Sequence, residues 1–252
     1  MSGWVRVIGL GPGPAEWRTP EASAALERAS DVIGYKRYLS WLALGGDQRI
    51  HASDNRAELA RARLALSLAE KGRRVAVVSG GDPGVFAMAA AVFEAIEENS
   101  TWRSLDVAVA PGVSAMQAAA ARLGAPLGHD FCAISLSDNL KPWAVVERRL
   151  KSAAEADFVI ALFNPASIAR PARLGEAFGL LRGLKSAATP VAFARAIGRP
   201  DETLTLAALG DADASGADMA TLVIVGSSET RLLARCDGRS WMLTPRSYGA
   251  RR

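Results

Sequence analysis

The segment Ser79–Ala87, which reads SGGDPGVFA, has the residue types and spacing of a ligand-binding loop. It combines three glycines, a proline and one carboxylate directly after the apolar run Val75–Val78. Two consecutive glycines in a short loop cost conformational entropy, but they allow a ligand to approach bare backbone. Since no cation adjoins the carboxylate, the loop suits a hydroxyl or a cationic group better than a phosphate. The alternative is a plain connection between a strand and a helix.

Two further loops carry glycine at comparable positions. Gly9–Gly13 reads GLGPG and Pro111–Ala115 reads PGVSA, each after an apolar run. The first departs from the dinucleotide fingerprint, because Pro12 and Gly13 intervene and no clear acidic residue lies at the end of a second strand about 20 residues later. It could equally be a tight turn, and Ser114 could be a helix N-cap. Three such loops together favour ligand binding.

Other reactive candidates are few. The stretch SLSDNLKPW contains Ser137 and Asp138, and the stretch FNPAS begins at Phe163. The two histidines, His51 and His129, are far apart in the sequence and predict no metal site. No Gly-x-Ser-x-Gly elbow or paired-carboxylate arrangement stands out, so the sequence favours chemistry that needs no protein nucleophile.

Strand and helix patterns alternate through the first half of the chain. Thr19 and Pro20 predict a helix start, and Asn55 with Glu58 resembles a capping box. The second-half pattern changes, since its last strands have no long helix between them. The predicted strands are Trp4–Ile8, Asp31–Ile33, Val75–Val78, Asp106–Ala110, Phe131–Ser135, Asp157–Phe163, Val191–Ala194, Thr203–Leu206 and Thr221–Val225. The predicted helices include Val85–Glu98, Ser114–Leu123, Trp143–Ala154, Arg173–Leu184 and one with an apolar stripe of Ala57, Ala60, Leu64 and Leu68 that ends at Gly72.

These patterns predict an α/β protein with two lobes. The first has a mostly parallel sheet, whose carboxyl edge would hold the three glycine loops, and the second has a mixed sheet. The expected divisions are residues 1–115, residues 116–245 and a peripheral tail at residues 246–252.

Composition narrows the partners. The chain has 252 residues and a net charge of +4, and its basic residues are dispersed rather than gathered in a stripe. That argues against nucleic acid and suits an anionic small molecule. Its two cysteines predict no disulfide framework, and no segment reaches the ~18 apolar residues of a membrane helix. We expect a cytoplasmic protein without a membrane partner.

Three motifs in fixed order, VIGLGPG, SGGDPGVFAMA and APGVSAMQAAAARLGAPLGHDF, resemble the tetrapyrrole (corrin/porphyrin) methylase family from about Val5 to Val225. Further stretches, DVIGYKRYL, SLSDNLKPWAVVERRL, ALFNPAS and ARAIGRPDE, are similar to the branch that methylates C17 of precorrin-3B in cobalamin biosynthesis, with ring contraction. The resemblance implies a two-lobe fold with the active site in the cleft, a homodimer, S-adenosyl-L-methionine (SAM) as cofactor with S-adenosyl-L-homocysteine as product, and an anionic tetrapyrrole substrate.

The resemblance also directs attention to site residues. Ser137 and Asp138, polar groups at a sheet-edge turn of the second lobe, are the candidates for proton movements in ring contraction. Arg37, Lys141, Arg170 and also Arg195 are candidates for contacts with substrate carboxylates. The residues expected to bind the cofactor are Pro12, Gly80, Gly81, Asp82, Val85, Phe86, Ser114, Ala115, Phe163, Asn164, Ala194, Arg195, Thr221 and Leu222.

Several alternatives remain open at this point. The chain could methylate another macrocycle position or a cobalt-precorrin. Relatives that modify ribosomal RNA or a protein side chain fit the dispersed charge less well. A regulator that binds SAM or a nucleotide without turnover is the alternative from another class. A dehydrogenase is weakened by the failed dinucleotide fingerprint.

Overall fold

The computed structural model of the chain describes residues 3–167 and 169–248. Backbone contacts divide the chain into two units, with the boundary between Ala115 and Met116. Each unit contains its own β-sheet and its own hydrophobic core. The predicted α/β class, with a parallel sheet first and a mixed sheet second, is confirmed.

The first unit is built on a five-stranded sheet in which every pair of neighbours is parallel. Its strands are β1 (Trp4–Gly9), β2 (Asp31–Tyr35), β3 (Arg49–Ser53), β4 (Arg74–Ser79) and β5 (Asp106–Ala110). Its helices are α1 (Pro20–Arg28), α2 (Lys36–Leu39), α3 (Glu58–Glu70) and α4 (Met88–Glu98), with 3₁₀ turns at Ala15–Trp17 and Ser100–Ser104. The order across the sheet is β3-β2-β4-β1-β5.

Both faces of this sheet are covered, as the continuous apolar strands require. Val5 and Val7 of β1 pack in one cluster with residues of α3 and α4. Ile8 belongs to the opposite cluster, together with Ala22 and Leu26 of α1. Successive strand side chains point to opposite faces, so one short strand supplies both cores.

Two of the predicted helix signals are confirmed and one is wrong. The Thr19 hydroxyl accepts a hydrogen bond from the Ala22 backbone N–H at 3.2 Å, and Gly72 ends α3 with φ of 80°. The capping box at Asn55 does not form. Its side chain accepts instead from the neighbouring Arg56 N–H, and the φ of 66° at Arg56 keeps that residue out of the helix.

The predicted apolar stripe of α3 is also wrong, except that Leu68 packs against the core. Leu64 is 41% exposed and Ala60 is exposed, whereas the buried face carries Leu66 and three alanines, Ala62, Ala65 and Ala69. In a helix this rich in alanine, small apolar side chains occur on several faces. The sequence pattern therefore does not determine which face packs on the sheet.

The second unit contains a mixed five-stranded sheet and a small three-stranded sheet. The strands are β6 (Gly124–Ala125), β7 (Phe131–Ser135), β8 (Val159–Phe163), β9 (Pro190–Arg195), β10 (Thr203–Ala208), β11 (Thr221–Val225), β12 (Arg231–Ala234) and β13 (Ser240–Leu243). The helices are α5 (Ala115–Leu123), α6 (Trp143–Glu155) and α7 (Arg173–Arg182). The large sheet has the order β10-β9-β11-β8-β7, and the small one β12-β13-β6.

Helices α6 and α7 cover one face of the large sheet. Leu150 of α6 and Phe178 of α7 are almost completely buried against Ile160, Leu162 and Val223 of the strands. This face is the core of the second unit.

The strands that the sequence did not predict are short or exposed. Ile50 of β3 is 56% exposed, and every residue of β12 is exposed. Such strands lack the buried alternation that sequence patterns detect. Of the predicted tail, residues 246–248 are exposed and residues 249–252 lie outside the described residues.

Two further properties concern the described part of the chain. None of its helices is long and apolar enough to cross a membrane. Cys132 and Cys236 are both free thiols.

Candidate cofactor and substrate site

The three glycine loops follow three strands that lie side by side in the first sheet. Strand β1 pairs with β4 on one side and with β5 on the other. Because all three strands are parallel, their carboxyl ends meet at one edge of the sheet, where ligands bind in open α/β folds. Residues 9–13, 79–87 and 111–115 thus form one group, here called the loop cluster.

Backbone hydrogen bonds join the first two loops. The Gly11 N–H donates to the Gly81 carbonyl oxygen at 3.2 Å, and the Gly81 N–H donates back to the Gly11 carbonyl oxygen at 2.9 Å. One residue before Gly11, the Leu10 N–H donates to the Ser79 carbonyl oxygen at 2.9 Å. Gly81 has φ of 69°, which favours glycine over a β-branched residue.

The third loop packs directly on the other two. A Cβ placed on Gly9 would lie 2.6 Å from the Cα of Gly112 and 2.9 Å from the Gly81 carbonyl oxygen. A Cβ on Gly112 would overlap that same oxygen and lie 2.8 Å from the Cα of Gly9. Gly9 and Gly112 are therefore required for the packing of the loops, whether or not a ligand is bound. The three loops can approach so closely only without side chains at these positions.

Asp82 connects the second loop to the third. One of its carboxylate oxygens accepts from the Gly84 N–H at 2.8 Å, and the other accepts from the Gly112 N–H at 2.9 Å. A carboxylate has about four lone-pair sites, so both oxygens can still accept from a ligand. Asp82 can thus hold the loop cluster and contact a bound molecule at the same time.

The other predicted residues of the first unit lie in or beside the loop cluster. Pro12 and Ser114 are buried, and Val85 and Ala115 are half-buried. Phe86 is 52% exposed and has φ of 52°, an uncommon conformation for a bulky residue. This positive φ is incompatible with a helix at Phe86, so α4 begins at Met88 rather than at the predicted Val85.

The remaining glycine of the loop, Gly80, lies against Tyr38 of α2. A Cβ on Gly80 would lie 2.8 Å from the Cζ atom of the Tyr38 ring. Arg37, predicted to contact substrate carboxylates, is the residue before Tyr38 and is exposed.

In the second unit, the predicted residues gather at one end of the large sheet. Strands β7, β8 and β9 are mutually parallel and end there, whereas the antiparallel β11 begins there. The Asn164 amide after β8 donates to the Ser135 hydroxyl at the end of β7, at 2.9 Å. Asn164 has φ of 53°, a conformation in which asparagine is enriched.

Two pairs of predicted cofactor residues face each other across β9 and β11. Ala194 is opposite Leu222, and Arg195 is opposite Thr221. Since side chains alternate along a strand, the two pairs lie on opposite faces of the sheet. Side chains of only one pair could therefore contact the same side of one ligand, and the other pair would contribute backbone.

Four polar residues around the ends of β7 and α7 form the group here called the polar cluster: Ser137, Asp138, Arg170 and Arg173. The Arg173 guanidinium donates to one Asp138 oxygen at 2.6 Å and 3.1 Å, and it stacks on the Trp143 ring at 4.5 Å. Arg170 donates to the Ser137 hydroxyl at 2.7 Å and to the other Asp138 oxygen at 3.3 Å.

The electrostatics of the polar cluster favour an ionised Asp138. Burial acts to raise the pKa of this carboxyl, but the hydrogen bonds and charges of Arg173, with Arg170, lower it below its ordinary value. Asp138 can therefore accept a hydrogen bond or a proton, and it cannot serve as a proton donor at neutral pH.

The cationic candidates differ in how well their charge is balanced. Arg195 binds two carboxylates, Asp218 at 2.9 Å and Asp201 at 3.1 Å, so its charge is already compensated. Arg170 shares Asp138 with Arg173 and retains a buried Nε without a partner among the described residues. Burial, followed by the charge of Arg149, lowers the pKa of Lys141. Arg170 is thus the stronger candidate for an anionic group.

Sequence reasoning missed several residues that position this site. The capacity of Gly9 and Gly112 to interlock depends on which strands are neighbours, and a single sequence does not contain that information. Arg173 was recognised only as a helix start. Asp218, which accepts from Thr221 and Arg195, follows no strand and carried no signal.

Known proteins resemble this chain over almost its full length. The profile of the family "Tetrapyrrole (Corrin/Porphyrin) Methylases" matches residues 5–213. A "Precorrin-3B C(17)-methyltransferase" from Sinorhizobium sp is 58% identical over 98% of both chains. A "Probable cobalt-factor III C(17)-methyltransferase" from Salmonella typhimurium is 44% identical over 96% of this chain and 98% of that protein.

A solved structure gives the same result for the fold. The crystal structure of the methyltransferase CobJ has a TM-score of 0.92 and 48% sequence identity, over 97% of this chain and 100% of that one. The predicted two-lobe α/β fold and the resemblance stated from the motifs are both confirmed. The chain belongs to the tetrapyrrole (corrin/porphyrin) methylase family and is a methyltransferase.

Proposed function

We propose that this protein transfers a methyl group from SAM to C17 of precorrin-3B, with ring contraction, in the biosynthesis of cobalamin. The observation that carries the proposal is the 58% identity, over 98% of both chains, to a protein named for that reaction. The loop cluster and the polar cluster support it, because they supply backbone for a cofactor and cations for an anionic substrate.

The loop cluster fits a cofactor that has amino-acid and ribose groups. Beside Gly81, whose added Cβ would meet no atom closer than 3.9 Å, lie the backbone of Ser114 and Ala115. Asp82 offers carboxylate oxygens to hydroxyl or ammonium donors. We propose Pro12, Gly80, Gly81, Asp82, Val85, Phe86, Ser114 and Ala115 as cofactor contacts in the first unit, and Phe163, Asn164, Ala194, Arg195, Thr221 and Leu222 in the second.

SAM supplies a methyl group that is already activated on a sulfonium, with a neutral thioether as leaving group. The residues of this chain then mainly need to hold the accepting carbon in line with that methyl group. Proximity and orientation can contribute roughly 7–11 kcal/mol to lowering such a barrier. This accounts for a site in which no protein nucleophile is proposed.

We propose that the polar cluster handles the substrate and its protons. Arg170, with Lys141 and Arg37, would bind the peripheral carboxylates. The ionised Asp138 would accept a proton or a hydrogen bond during ring contraction. The Ser137 oxygen accepts from Arg170, which leaves the Ser137 hydroxyl proton to hydrogen-bond an acceptor on the substrate.

The test begins with calorimetric titration of S-adenosyl-L-homocysteine. We expect micromolar binding by the wild type and loss of binding in Gly81→Val, since a β-branched residue is strained at φ of 69°. Gly179→Ala, on a helix face where an added Cβ meets nothing within 4 Å, is the control for the effect of replacing a glycine. No binding by the folded wild type would overturn the proposed reaction.

Turnover is then measured with precorrin-3B, and mass spectrometry should detect one added methyl group. Binding of S-adenosyl-L-homocysteine without turnover on any macrocycle would instead favour a non-catalytic regulator. The Salmonella typhimurium relative, named for cobalt-factor III, makes a cobalt-containing substrate the second candidate. Parallel assays with the cobalt-free and cobalt-containing macrocycles discriminate the two.

We also propose a cytoplasmic homodimer. The two free thiols are consistent with a reducing compartment. Light scattering after size exclusion should give twice the chain mass of 26.5 kDa, and a monomer across the working concentration range would exclude the dimer.

A further inference from the structure

The inference begins with the contact between Tyr38 and Gly80. A Cβ on Gly80 would lie 2.8 Å from Cζ, 2.9 Å from Cε1 and 3.1 Å from the hydroxyl oxygen of Tyr38. The hydroxyl-bearing end of the ring therefore lies directly on the bare Cα of Gly80. Gly80 belongs to the loop cluster, so Tyr38 is part of the wall of that loop.

Tyr38 is the middle member of an aromatic group. Its ring centroid is 5.4 Å from that of Tyr35, with the planes at 87°, and 5.0 Å from that of Trp41, with the planes at 51°. These three residues are here called the aromatic cluster. Trp41 is 37% exposed, so part of its large apolar ring faces solvent.

A positive charge accompanies these rings. Arg37 lies in the same short helix and is exposed, and Lys36 pairs with Asp54 at 3.0 Å. The first unit thus carries aromatic rings that reach its predicted cofactor loop through Tyr38, and an exposed cation, Arg37, at the position before Tyr38. A flat, conjugated molecule with peripheral carboxylates matches both features, through stacking and through ion pairing.

We propose that the exposed Trp41 ring of the aromatic cluster stacks on the tetrapyrrole macrocycle, and that Tyr38, resting on Gly80, sets the distance between Trp41 and the cofactor loop. This inference rests on the proposed function, since the macrocycle is the conjugated anionic molecule that the reaction requires. It assigns substrate recognition to Trp41 and a positioning role to Tyr38, in addition to the residues identified from the family motifs.

The alternative is that the aromatic cluster only supports the second glycine loop. In that case, truncating Trp41 would change folding stability without a selective effect on the substrate. Because Trp41 is one ring contact further from Gly80 than Tyr38 is, its truncation separates these two roles better than a change at Tyr38.

The experiment compares Trp41→Ala with Trp241→Ala, a tryptophan of β13 that is 45% exposed in the small sheet of the second unit. We expect Trp41→Ala to raise the KM for the macrocycle about three- to tenfold, with the dissociation constant of S-adenosyl-L-homocysteine unchanged within about twofold. Trp241→Ala should change neither value. An unchanged macrocycle KM in Trp41→Ala, or an equal change in both variants, would overturn the inference.

A second measurement tests the positioning role of Tyr38. Gly80→Ala should weaken binding of S-adenosyl-L-homocysteine, because the new Cβ displaces the Tyr38 ring. In a Tyr38→Ala background the same Gly80→Ala change has room, so its additional cost should largely disappear. Equal costs in both backgrounds would contradict the role of the contact.

These outcomes are distinguishable from failure of the proposed function. If the wild type neither binds S-adenosyl-L-homocysteine nor methylates a macrocycle, the proposed function and this inference fail together. If the wild type turns over normally and Trp41→Ala keeps its KM, only the inference fails.

Discussion

The loop cluster of the first unit and the polar cluster of the second achieve their geometry in different ways. In the loop cluster, backbone packs on backbone, and a single carboxylate, Asp82, accepts from two N–H groups. In the polar cluster, long charged side chains hold one another, with Arg170 and Arg173 on Asp138. The first arrangement should be sensitive to added volume. The second should be sensitive to pH and salt.

The largest effect should follow from adding one methyl group to the loop cluster. Gly112→Ala places a Cβ onto the Gly81 carbonyl oxygen, where no flexible side chain can move away. We expect the free energy of unfolding to fall by about 3 kcal/mol and kcat/KM to fall about 100-fold, through misplacement of the cofactor. Chemical denaturation and steady-state kinetics measure the two effects.

The matched control is Gly179→Ala in α7, which should stabilise the protein by up to about 1 kcal/mol because alanine is the better helix former. A Gly112→Ala variant as stable as the wild type would show that the loops are not interlocked as described.

Removing the carboxylate of Asp82 should have the next largest effect. Asp82→Ala leaves the Gly112 and Gly84 N–H groups without their charged acceptor, and we expect a loss of about 2 kcal/mol of folding free energy. Asp82→Asn keeps one acceptor oxygen and should lose about half as much. If the two variants were equally stable, the hydrogen bonds to the carboxylate would not be what joins the second and third loops.

A change in the polar cluster should show itself through pH. Arg173 helps to hold the pKa of Asp138 below its ordinary value, so Arg173→Ala should raise that pKa. The acid limb of log kcat/KM against pH then moves to higher pH. Glu176→Gln removes the other partner of Arg173, leaves the contact with Asp138 and should not shift the limb.

The lowered pKa of Asp138 also determines how folding stability changes with pH. The contacts of ionised Asp138 stabilise the fold above its unfolded pKa of about 3.9, and this stabilisation is lost as pH falls through the folded value. The unfolding free energy of Arg173→Ala should therefore depend less on pH in the acid range. An identical pH dependence in variant and wild type would contradict the role given to Arg173.

A change in salt concentration should have the smallest effect, and it compares the polar cluster and the loop cluster most directly. Raising NaCl from about 0.05 M to about 0.3 M shortens the screening length, so the KM of the anionic macrocycle should rise about threefold. Binding of S-adenosyl-L-homocysteine, which depends mainly on backbone, should change by less than about twofold. Equal salt dependence of both would remove the contrast between the two clusters.

The sequence predicted the loop cluster better than the polar cluster. Glycine and proline mark a loop wherever they occur, and strong apolar runs such as Val75–Val78 place the loops at strand ends. The polar cluster depends on Arg173, which lies 35 residues from Asp138. A contact over that sequence distance depends on how α7 packs on the sheet, and no local pattern encodes it.

The fold, too, was predicted only where a local sequence pattern determines it. Buried strands such as Thr221–Val225 were predicted with their observed bounds, because all five residues are apolar or β-branched and buried. The exposed strands β3 and β12 have no such pattern, and the face of α3 was ambiguous because leucine and alanine together occur on several of its faces. The topological neighbours β4, β1 and β5, which bring the three loops together, follow from tertiary packing.

The interlocked glycines also limit how this protein can change by mutation. Gly9 and Gly112 each occupy the space that a side chain on the other would need, so neither position can gain a side chain first. In a random library, nearly all variants mutated at either residue would lose the folded loop cluster. No series of single substitutions can therefore introduce side chains at both positions. An engineer who seeks a different methyl donor or acceptor should therefore diversify exposed positions such as Phe86 and Trp41, and keep the glycines as a fixed block.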